Sequence, residues 1–356
     1  MMNKVKDIAG VLMRDLTFSQ KFNYLKYRMS ARKEILDYDP VTISIVATSR
    51  CTFSCDMCPT HSKRVPADYE HAQTTTRDMD FAMFKEIIDR FENALNVQII
   101  GSGEPMLNKN FFKMVDYAAM RHMTVKTFSN GTTIEDNLDN ILNSKLDGIT
   151  ISINGHNAKE FNRMTGMDEN YYAKIYRAIK NLVDERNRRN SPLKVKLSFI
   201  VDRQNYKYIP DMIQTSLNLG VDHTFLCNFL PCPVEGLTAE ERSLMADPKI
   251  RREIRSIMNA YPPLVRRKFT LPPLIDKTLR QNKCVSHFSQ VRFDGDGNIS
   301  SCSMMLLNME GNGNYRDEEI WNNAFFRRMR NVFLSSDAEK LPGPCRVCPD
   351  NKGVLI

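Results

Sequence analysis

Three cysteines stand close together in the stretch SRCTFSCDMCPTHS, residues 49–62. Cys51, Cys55 and Cys58 form a C-x3-C-x2-C pattern, and thiolates are ligands of both zinc and iron–sulfur clusters. Three thiolates are one fewer than a closed site of either kind uses. Either a nearby side chain such as His61 completes a zinc site, or one metal position stays open for chemistry.

A second group of four cysteines lies near the C-terminus. Cys284 and Cys302 flank a Gly-Asp-Gly turn at Gly297, between two alternating segments that are typical of a β-hairpin. Cys345 and Cys348 follow as a C-x2-C pair. On spacing alone, these four thiolates suit a zinc ion as well as an iron–sulfur cluster.

The elements that position these cysteines read as an α/β fold. Six apolar or β-branched segments alternate with helical patterns after residue 40, which predicts a parallel sheet of βα units with right-handed crossovers. In such sheets the chemistry lies at the carboxyl ends of the strands, and the three-cysteine stretch follows the first strand. The predicted strands are 41–48, 97–101, 125–132, 148–155, 194–201 and 223–230.

We divide the chain into four parts. Residues 1–40 are predicted as an N-terminal helical segment that packs against the main domain or lies on a membrane surface. Residues 41–235 hold the six strands, and residues 236–283 form a helical connector with Pro-Pro breaks. Residues 284–356, richer in Gly and Cys, are predicted as a separate small α+β domain.

The three-cysteine pattern after the first strand resembles the radical S-adenosylmethionine (radical SAM) superfamily. The resemblance implies a partial (β/α)6 TIM-like barrel in which Cys51, Cys55 and Cys58 hold a [4Fe–4S] cluster. In that family the open iron binds S-adenosylmethionine, and an electron from the cluster produces a 5′-deoxyadenosyl radical that abstracts a substrate hydrogen. The fourth position would then belong to the cofactor.

Segments at later strand ends extend the resemblance. GSGEP (101–105) is similar to the family's Gly-Gly-Glu-Pro motif, and its glycines allow close backbone approach. Glu104 would accept from the methionine ammonium, Ser152 and Asn154 would approach the ribose, and Arg163 would pair with the methionine carboxylate. The implied cofactor contacts are Gly101, Ser102, Gly103, Glu104, Pro105, Ser129, Asn130, Ser152, Asn154, Arg163, Phe199 and Ile200; the last two are adenine neighbours or core residues.

The C-terminal cysteines resemble the twitch appendage of this superfamily, a shortened relative of the SPASM domain. The resemblance implies a second, auxiliary [4Fe–4S] cluster held by all four thiolates. A fully ligated cluster would move electrons, so the expected reaction is dehydrogenation of a sugar, aminocyclitol or other small molecule. The alternative is epimerisation of a sugar or peptide, with Cys227 as hydrogen-atom donor; Cys227 and Cys232 are otherwise buried thiols.

Composition bounds the class of protein. The chain has 356 residues, 42% hydrophobic and 26% charged, as ordinary soluble globular proteins have. No apolar run approaches the roughly 18 residues of a membrane span, and no signal peptide is recognised. We therefore expect a cytoplasmic protein, in which the nine cysteines are not structural disulfides.

The net charge of +8 leaves the partners open. It indicates a scattered excess of Lys and Arg, an anionic substrate, or a nucleic-acid surface. We expect a small-molecule substrate, with a short peptide as the alternative, and a reducing partner such as flavodoxin or ferredoxin. We expect no stable nucleic-acid complex. The competing class is a zinc- or cluster-stabilised scaffold or nucleic-acid-binding protein.

Overall fold

The computed structural model describes residues 8–66, 76–231, 234–279, 282–302, 312–335 and 337–356. Its strands are β1 (Thr42–Thr48), β2 (Asn96–Gly101), β3 (Thr124–Ser129), β4 (Gly148–Ser152), β5 (Lys194–Val201), β6 (His223–Asn228), β7 (Phe269–Thr270), β8 (Leu274–Ile275), β9 (Gln290–Phe293), β10 (Ile299–Ser300) and β11 (Gly353–Val354). Nine of them form one sheet in the order β10-β9-β1-β2-β3-β4-β5-β6-β7, and β8 pairs with β11.

The helices connect these strands and close the C-terminal region. They are α1 (Phe18–Met29), α2 (Phe81–Arg90), α3 (Phe111–Met120), α4 (Leu138–Asn143), α5 (Ala158–Thr165), α6 (Asn170–Arg188), α7 (Ile209–Leu219), α8 (Ala239–Arg242), α9 (Pro248–Asn259), α10 (Pro263–Arg266), α11 (Ala324–Leu334), α12 (Gly343–Arg346) and α13 (Pro349–Lys352). Short 3-10 turns occur at 105–107, 206–208, 286–288 and 338–340.

The first six strands pair in parallel in chain order, which confirms the predicted α/β sheet. A parallel pair needs a crossover, and α2, α3, α4, α6 and α7 provide these connections. Strand β1 is buried along almost its whole length because it lies inside the sheet rather than at its edge.

The two faces of the sheet differ in what covers them. Alternate strand residues such as Ile43, Val125 and Leu197 pack with helix residues in the main hydrophobic core. The residues between them point the other way, because side chains alternate along a strand. We call this second side the open face; Phe128 on it is 43% exposed, and Cys227 is exposed as well.

The C-terminal hairpin joins the central sheet. Strand β9 runs parallel to β1, with Thr42 opposite Gln290, and β10 pairs antiparallel to β9. Gly297 takes a φ of +81° in the turn between them, and this confirms the predicted hairpin. Its place beside β1 depends on pairing across about 250 residues and was not predicted. The boundaries of the four predicted parts stay predictions.

Helix α1 packs against the main domain, as predicted. Thr17 and Gln20 form a capping box at its start. The Gln20 side-chain amide also donates to the carbonyl oxygens of Glu92, Ala94 and Arg121, at 3.1, 3.1 and 2.8 Å. These bonds tie α1 to the ends of α2 and α3.

Across the described residues, we find no helix with both the length and the apolar character needed to cross a membrane.

Candidate functional site

The three-cysteine loop leaves the carboxyl end of β1 and folds into a compact turn. Cys51, Cys55 and Cys58 are free and half-buried. The Cys58 amide donates to the Cys55 carbonyl oxygen at 2.9 Å, and the Ser62 hydroxyl donates to the Asp56 carbonyl oxygen at the same distance. The backbone of the loop is therefore held by its own hydrogen bonds.

The thiols of this loop affect one another. Burial raises the pKa of Cys51, and the neighbouring Cys58 thiol adds to the shift. Burial also raises the pKa of Cys55 to about 12, with further contributions from the charges of Cys58 and Cys51. Three soft sulfur donors thus share one poorly hydrated place, and thiolates of this kind select zinc or iron–sulfur clusters.

The GSGEP segment at the end of β2 lies directly against this loop. A Cβ added at Gly103 would lie 1.9 Å from the Arg50 carbonyl oxygen, so only glycine fits. The Glu104 amide donates to that same oxygen at 2.8 Å, and the Ser102 amide donates to the Thr48 carbonyl oxygen at 3.1 Å. Gly103 therefore allows a close backbone approach to the start of the cysteine loop, and the contact of this segment with a cofactor stays a prediction.

Glu104 links the ends of β2 and β3. Its carboxylate is 1% exposed and accepts from the Ser129 hydroxyl at 3.0 and 3.1 Å and from the Asn130 amide at 2.7 Å. The Thr133 hydroxyl and the Met106 amide donate to it as well. Burial raises its pKa, while these hydrogen bonds oppose the shift. These donors occupy the carboxylate, so its contact with a methionine ammonium stays a prediction.

The segment after β3 also reaches the cysteine loop. The Asn130 side-chain amide donates to the Cys51 sulfur at 3.7 Å and to the Thr52 hydroxyl at 2.9 Å. The Thr52 hydroxyl lies 2.7 Å from that of Thr132. Three consecutive strand ends therefore meet at the cysteines, as the parallel topology predicts.

The end of β4 carries the clearest sign of a missing partner. Asn154 takes a φ of +51°, its side chain is 8% exposed, and its Oδ1 has no hydrogen-bond partner among the described residues. A buried acceptor without a partner is costly, so a bound group fits this position. Ser152 lies beside it on the open face and shares a 3.0 Å hydrogen bond with Ser198.

Arg163 is already paired in the structure. Its guanidinium binds the Glu160 carboxylate at 2.7 and 2.8 Å, contacts Asp202 at 3.4 Å and donates to Gln204 at 2.7 Å. A methionine carboxylate would have to compete with both acidic groups, and the predicted contact stays untested.

Phe199 and Ile200 lie on opposite sides of β5. Phe199 is fully buried in the hydrophobic core under the helices, which is the alternative role given for it, and its place beside the adenine stays a prediction. The reason is the two-residue period of a strand: Ser198 and Ile200 point to the open face, and the residue between them cannot. Ile200 is half-buried beside Cys227, its partner in register on β6.

Cys227 lies at the carboxyl end of β6 on the open face. Although this residue is exposed, partial loss of water contact and the carboxylate of Asp350 raise the pKa of its thiol to about 11. Asp350 belongs to α13, so the C-terminal region lies close to the carboxyl end of β6 here. Cys232 lies outside the described residues.

The four C-terminal cysteines come together in the fold. Cys345 is buried; this burial raises the pKa of its thiol, and the charges of Cys302, Cys348 and Cys284 add to the shift. Asn351 ties the two cysteine pairs together. Its Oδ1 accepts from the Cys284 amide at 3.3 Å, and its Nδ2 donates to the Cys345 carbonyl oxygen at 3.0 Å. Asn351 was not predicted, because its role depends on contacts between distant segments.

Two observations bear on which metal group would fit. In the part of the chain that the structure describes, no three His, Cys, Asp or Glu side chains converge closely enough to bind a single metal ion. A [4Fe–4S] cluster spreads its irons over a cube, so its thiolates stand farther apart than those around one ion. The residues present fit a [4Fe–4S] cluster because grouped cysteine thiols are the ligands that such clusters use. His61, the alternative zinc ligand, is held by backbone hydrogen bonds at Ser102 and Ser49, and its Nε2 has no described partner.

Comparison with known proteins supplies the family. The family model of the Radical SAM superfamily matches residues 45–215, which span β1 to α7 and include the three-cysteine loop. This part of the chain is similar to the radical SAM superfamily. The resemblance of the cysteine loop to this family is thereby confirmed.

Curated relatives match at low identity. A tungsten-containing aldehyde ferredoxin oxidoreductase cofactor-modifying protein of Pyrococcus furiosus is 27% identical over 194 residues, 53% of this chain and 51% of the relative. Mycofactocin maturase MftC of Mycolicibacterium smegmatis is 27% identical over 184 residues, 51% of this chain and 43% of the relative. This chain spans about half the length of the curated relatives it matches.

Similar solved structures extend over more of the chain. Streptococcus suis SuiB bound to S-adenosylmethionine gives a TM-score of 0.64 at 15% identity, covering 88% of this chain and 73% of SuiB. The structure of anSMEcpe with bound AdoMet gives 0.62 at 15% identity, covering 88% and 89%. At these identities the likeness concerns the fold, and it includes the C-terminal part of the chain.

Proposed function

We propose that this chain is an enzyme that binds a [4Fe–4S] cluster at Cys51, Cys55 and Cys58 and cleaves S-adenosylmethionine there. The observation that carries the proposal is the convergence of three strand ends on the cysteine loop. Gly103, Glu104 and Asn130 contact that loop or its neighbours directly, inside a domain of the radical SAM superfamily.

The residues around the loop hold the site in place. Gly103 lets the β2 end touch the Arg50 backbone, and Glu104 fixes the β3 end through Ser129 and Asn130. Asn130 donates to the sulfur of Cys51, a contact that stabilises a thiolate. The unpartnered Oδ1 of Asn154 offers an acceptor for a hydroxyl group such as those of the cofactor's ribose.

Bound at this loop, the cluster would supply one electron that cleaves S-adenosylmethionine to methionine and a 5′-deoxyadenosyl radical, which removes a hydrogen atom from the substrate. A reducing protein such as flavodoxin or ferredoxin would deliver that electron.

The C-terminal thiols Cys284, Cys302, Cys345 and Cys348 would hold a second [4Fe–4S] cluster. Four ligands leave no open iron, so this site is suited to accepting an electron. If the substrate radical gives up that electron together with a proton, the net change is a two-electron oxidation. We therefore favour dehydrogenation of a small molecule such as a sugar or an aminocyclitol.

Two observations favour testing peptide substrates and epimerisation as well. SuiB has been solved with the precursor peptide SuiA and anSMEcpe with the Kp18Cys peptide, so peptides belong in the substrate search. Cys227 stands exposed on the open face beside Ile200, where a thiol could return a hydrogen atom to a substrate radical. That second role would make the enzyme an epimerase.

The first test compares the wild type with a variant carrying alanine at Cys51, Cys55 and Cys58, both reconstituted anaerobically. We expect about eight irons per wild-type chain and about four in the variant, with visible absorption retained. Formation of 5′-deoxyadenosine from S-adenosylmethionine and dithionite should occur only in the wild type. A triple variant that still forms 5′-deoxyadenosine would sink the proposal, and zinc without iron would favour the scaffold class.

A further inference from the structure

Helix α1 turns its polar side to the protein and its apolar side to the solvent. Its buried residues are Gln20, Asn23 and Tyr24, and the side chain of Asn23 donates to the carbonyl oxygens of Asp39 and Asn93 at 3.2 and 3.0 Å. A surface helix of a globular protein usually has the reverse arrangement, with its apolar residues against the core. The packing of this chain therefore does not account for the outward side of α1.

Four apolar residues form a stripe along that outward side. Phe18, Phe22, Leu25 and Met29 follow one another at spacings of four, three and four residues, which places them on one side of a helix. Phe18 is 85% exposed, Phe22 50% and Met29 80%, whereas Leu25 is half-buried. The rings of Phe18 and Phe22 stack with their centroids 6.3 Å apart. We call these four residues the α1 stripe; an exposed apolar row of this kind is typical of an interaction surface.

Positive charges lie on both sides of the α1 stripe. The helix holds three basic residues, Lys21, Lys26 and Arg28, and no acidic residue. At 3.6 residues per turn, Lys21 and Arg28 fall on one side of the stripe and Lys26 on the other. The Nζ atom of Lys26 lies 4.9 Å from the centroid of the Phe22 ring. Long basic side chains beside an apolar stripe are typical of helices that lie in a membrane interface.

The carboxylates near this helix have partners of their own. Three of them line the groove that Phe22 and Lys26 border, and a fourth precedes the helix. Asp37 lies 3.4 Å from Lys33, Asp39 accepts from the Asn93 side chain at 2.8 Å, Glu319 accepts from the Asn322 amide at 2.8 Å, and Asp15 lies 3.3 Å from His122. Within the described residues, none of the four forms an ion pair with Lys21 or Lys26.

Helix α1 covers the end of the sheet that is opposite to the cysteine loop. Gln20 bonds to the carbonyl oxygens of Ala94 and Arg121, which stand just before β2 and β3, whereas Cys51 follows the carboxyl end of β1. A strand of this length spans about 20 Å. A surface that held α1 would therefore leave the cysteine loop in water.

We propose that α1 docks this protein on an anionic membrane surface, with the α1 stripe at the boundary between headgroups and acyl chains. Lys21, Lys26 and Arg28 would then reach the lipid phosphates beside it. The charges favour this occupant over a second copy of the chain. Two α1 helices packed stripe to stripe would bring like charges together, with no acidic residue on the helix to pair with them. The proposal does not depend on the radical chemistry above.

The test is co-sedimentation of the full-length, reconstituted protein with vesicles. One kind is phosphatidylcholine alone, and the other is an equal mixture of phosphatidylcholine and phosphatidylglycerol. We compare the wild type with a stripe variant that carries Phe18→Ser and Phe22→Ser. The matched control carries Tyr208→Ser and Leu355→Ser, whose side chains are 46% and 83% exposed. Tyr208 lies in the turn after β5, and Leu355 follows β11 near the carboxyl end of β6, so both are far from α1.

We expect the wild type to bind the mixed vesicles at least about tenfold more tightly than the neutral ones, because charge adds to apolar burial. The stripe variant should bind the mixed vesicles roughly tenfold more weakly or less still, and the control should stay within about twofold of the wild type. A variant with Lys21→Gln and Lys26→Gln should lose about tenfold on the mixed vesicles and nothing on the neutral ones. Thermal melting and visible absorption report whether each variant folds and holds its iron.

Three results would overturn the proposal. They are a wild type that stays in the supernatant with both kinds of vesicle, an equal loss of binding in the control, and unchanged binding in the folded stripe variant. Sedimentation velocity tests the second copy: a wild-type dimer that becomes a monomer in the stripe variant, with no vesicle binding, would assign the α1 stripe to self-association. The vesicle measurements use no reductant, so docking and cleavage of S-adenosylmethionine can fail independently.

Discussion

The two cysteine groups of this chain are built differently. Cys51, Cys55 and Cys58 are half-buried on a loop at the carboxyl ends of parallel strands. The C-terminal group lies on a hairpin edge and two short helices, and its member Cys345 is buried. The first group has three thiols surrounded by polar neighbours from other strands, whereas in the second Asn351 links the backbone of Cys284 to that of Cys345.

This difference indicates how one fold can separate cofactor binding from electron transfer. A site with three ligands at the strand ends leaves a position for a cofactor, next to the open face where a substrate can lie. A site with four thiolate ligands leaves no iron open and suits electron transfer. We call Cys51, Cys55 and Cys58 the open group and the four C-terminal cysteines the closed group. The predictions below test whether the two groups act separately.

The largest loss of product is expected when the four cysteines of the closed group are replaced. Serine at Cys284, Cys302, Cys345 and Cys348 keeps the side-chain size but removes the soft ligands. We expect about half the iron to remain and 5′-deoxyadenosine still to form, while oxidised product falls by roughly 100-fold or more. Product and 5′-deoxyadenosine are measured in the same reaction by mass spectrometry. Loss of both together in a folded variant would show that the groups are not separable.

A methyl group added at Gly103 should displace the backbone beside the open group. Gly103→Ala places a Cβ against the Arg50 carbonyl oxygen, whereas Gly343→Ala meets nothing within 4 Å. We expect Gly103→Ala to slow formation of 5′-deoxyadenosine about tenfold and to cost about 1–3 kcal/mol of unfolding free energy. Gly343→Ala, beside the closed group, should change neither by much. Equal behaviour of the two variants in activity and chemical denaturation would contradict the role of the β2 end.

Cys227 distinguishes the two outcomes of the radical chemistry. If the closed group accepts the electron, Cys227→Ala should retain product formation within about threefold, because the thiol is not part of the oxidation. Product formed in deuterated water should then carry no deuterium on carbon. One deuterium in the wild-type product, lost in Cys227→Ala, would instead establish the epimerase alternative.

The smallest effect concerns pH and the buried C-terminal region. His287 is 1% exposed, and burial lowers its pKa to about 3, with Arg330 adding to the shift. The unfolded chain therefore binds a proton that the folded chain does not, and stability is lost as pH falls below about 6.5. The loss is about 1.4 kcal/mol per pH unit, or about 2 kcal/mol at pH 5.

His287→Phe should make this dependence shallower by that amount, since the ring already packs 4.3 Å from Phe333. Urea denaturation of both proteins between pH 5 and 7.5 measures the difference. Identical slopes for the two proteins would show that His287 does not titrate on unfolding.

Much of the fold could be predicted because its signals are local. The six strands alternate with helical patterns, and each short β-branched segment appears in the structure within a few residues of its predicted bounds. The Gly-Asp-Gly turn likewise predicted the hairpin of β9 and β10. Local patterning could not place that hairpin beside β1, because strand pairing depends on contacts between distant parts of the chain.

The sequence by itself determined the chemistry that this protein can hold. The spacing of Cys51, Cys55 and Cys58 and the glycines of GSGEP indicate the similarity to the radical SAM superfamily, since ligand type and backbone freedom are properties of the residues themselves. Only the tertiary structure decided that Phe199 points into the core, that Glu104 fixes the β3 end, and that Asn351 links Cys284 with Cys345. These roles depend on which face and which neighbour each side chain receives, and that is set by packing between distant strands.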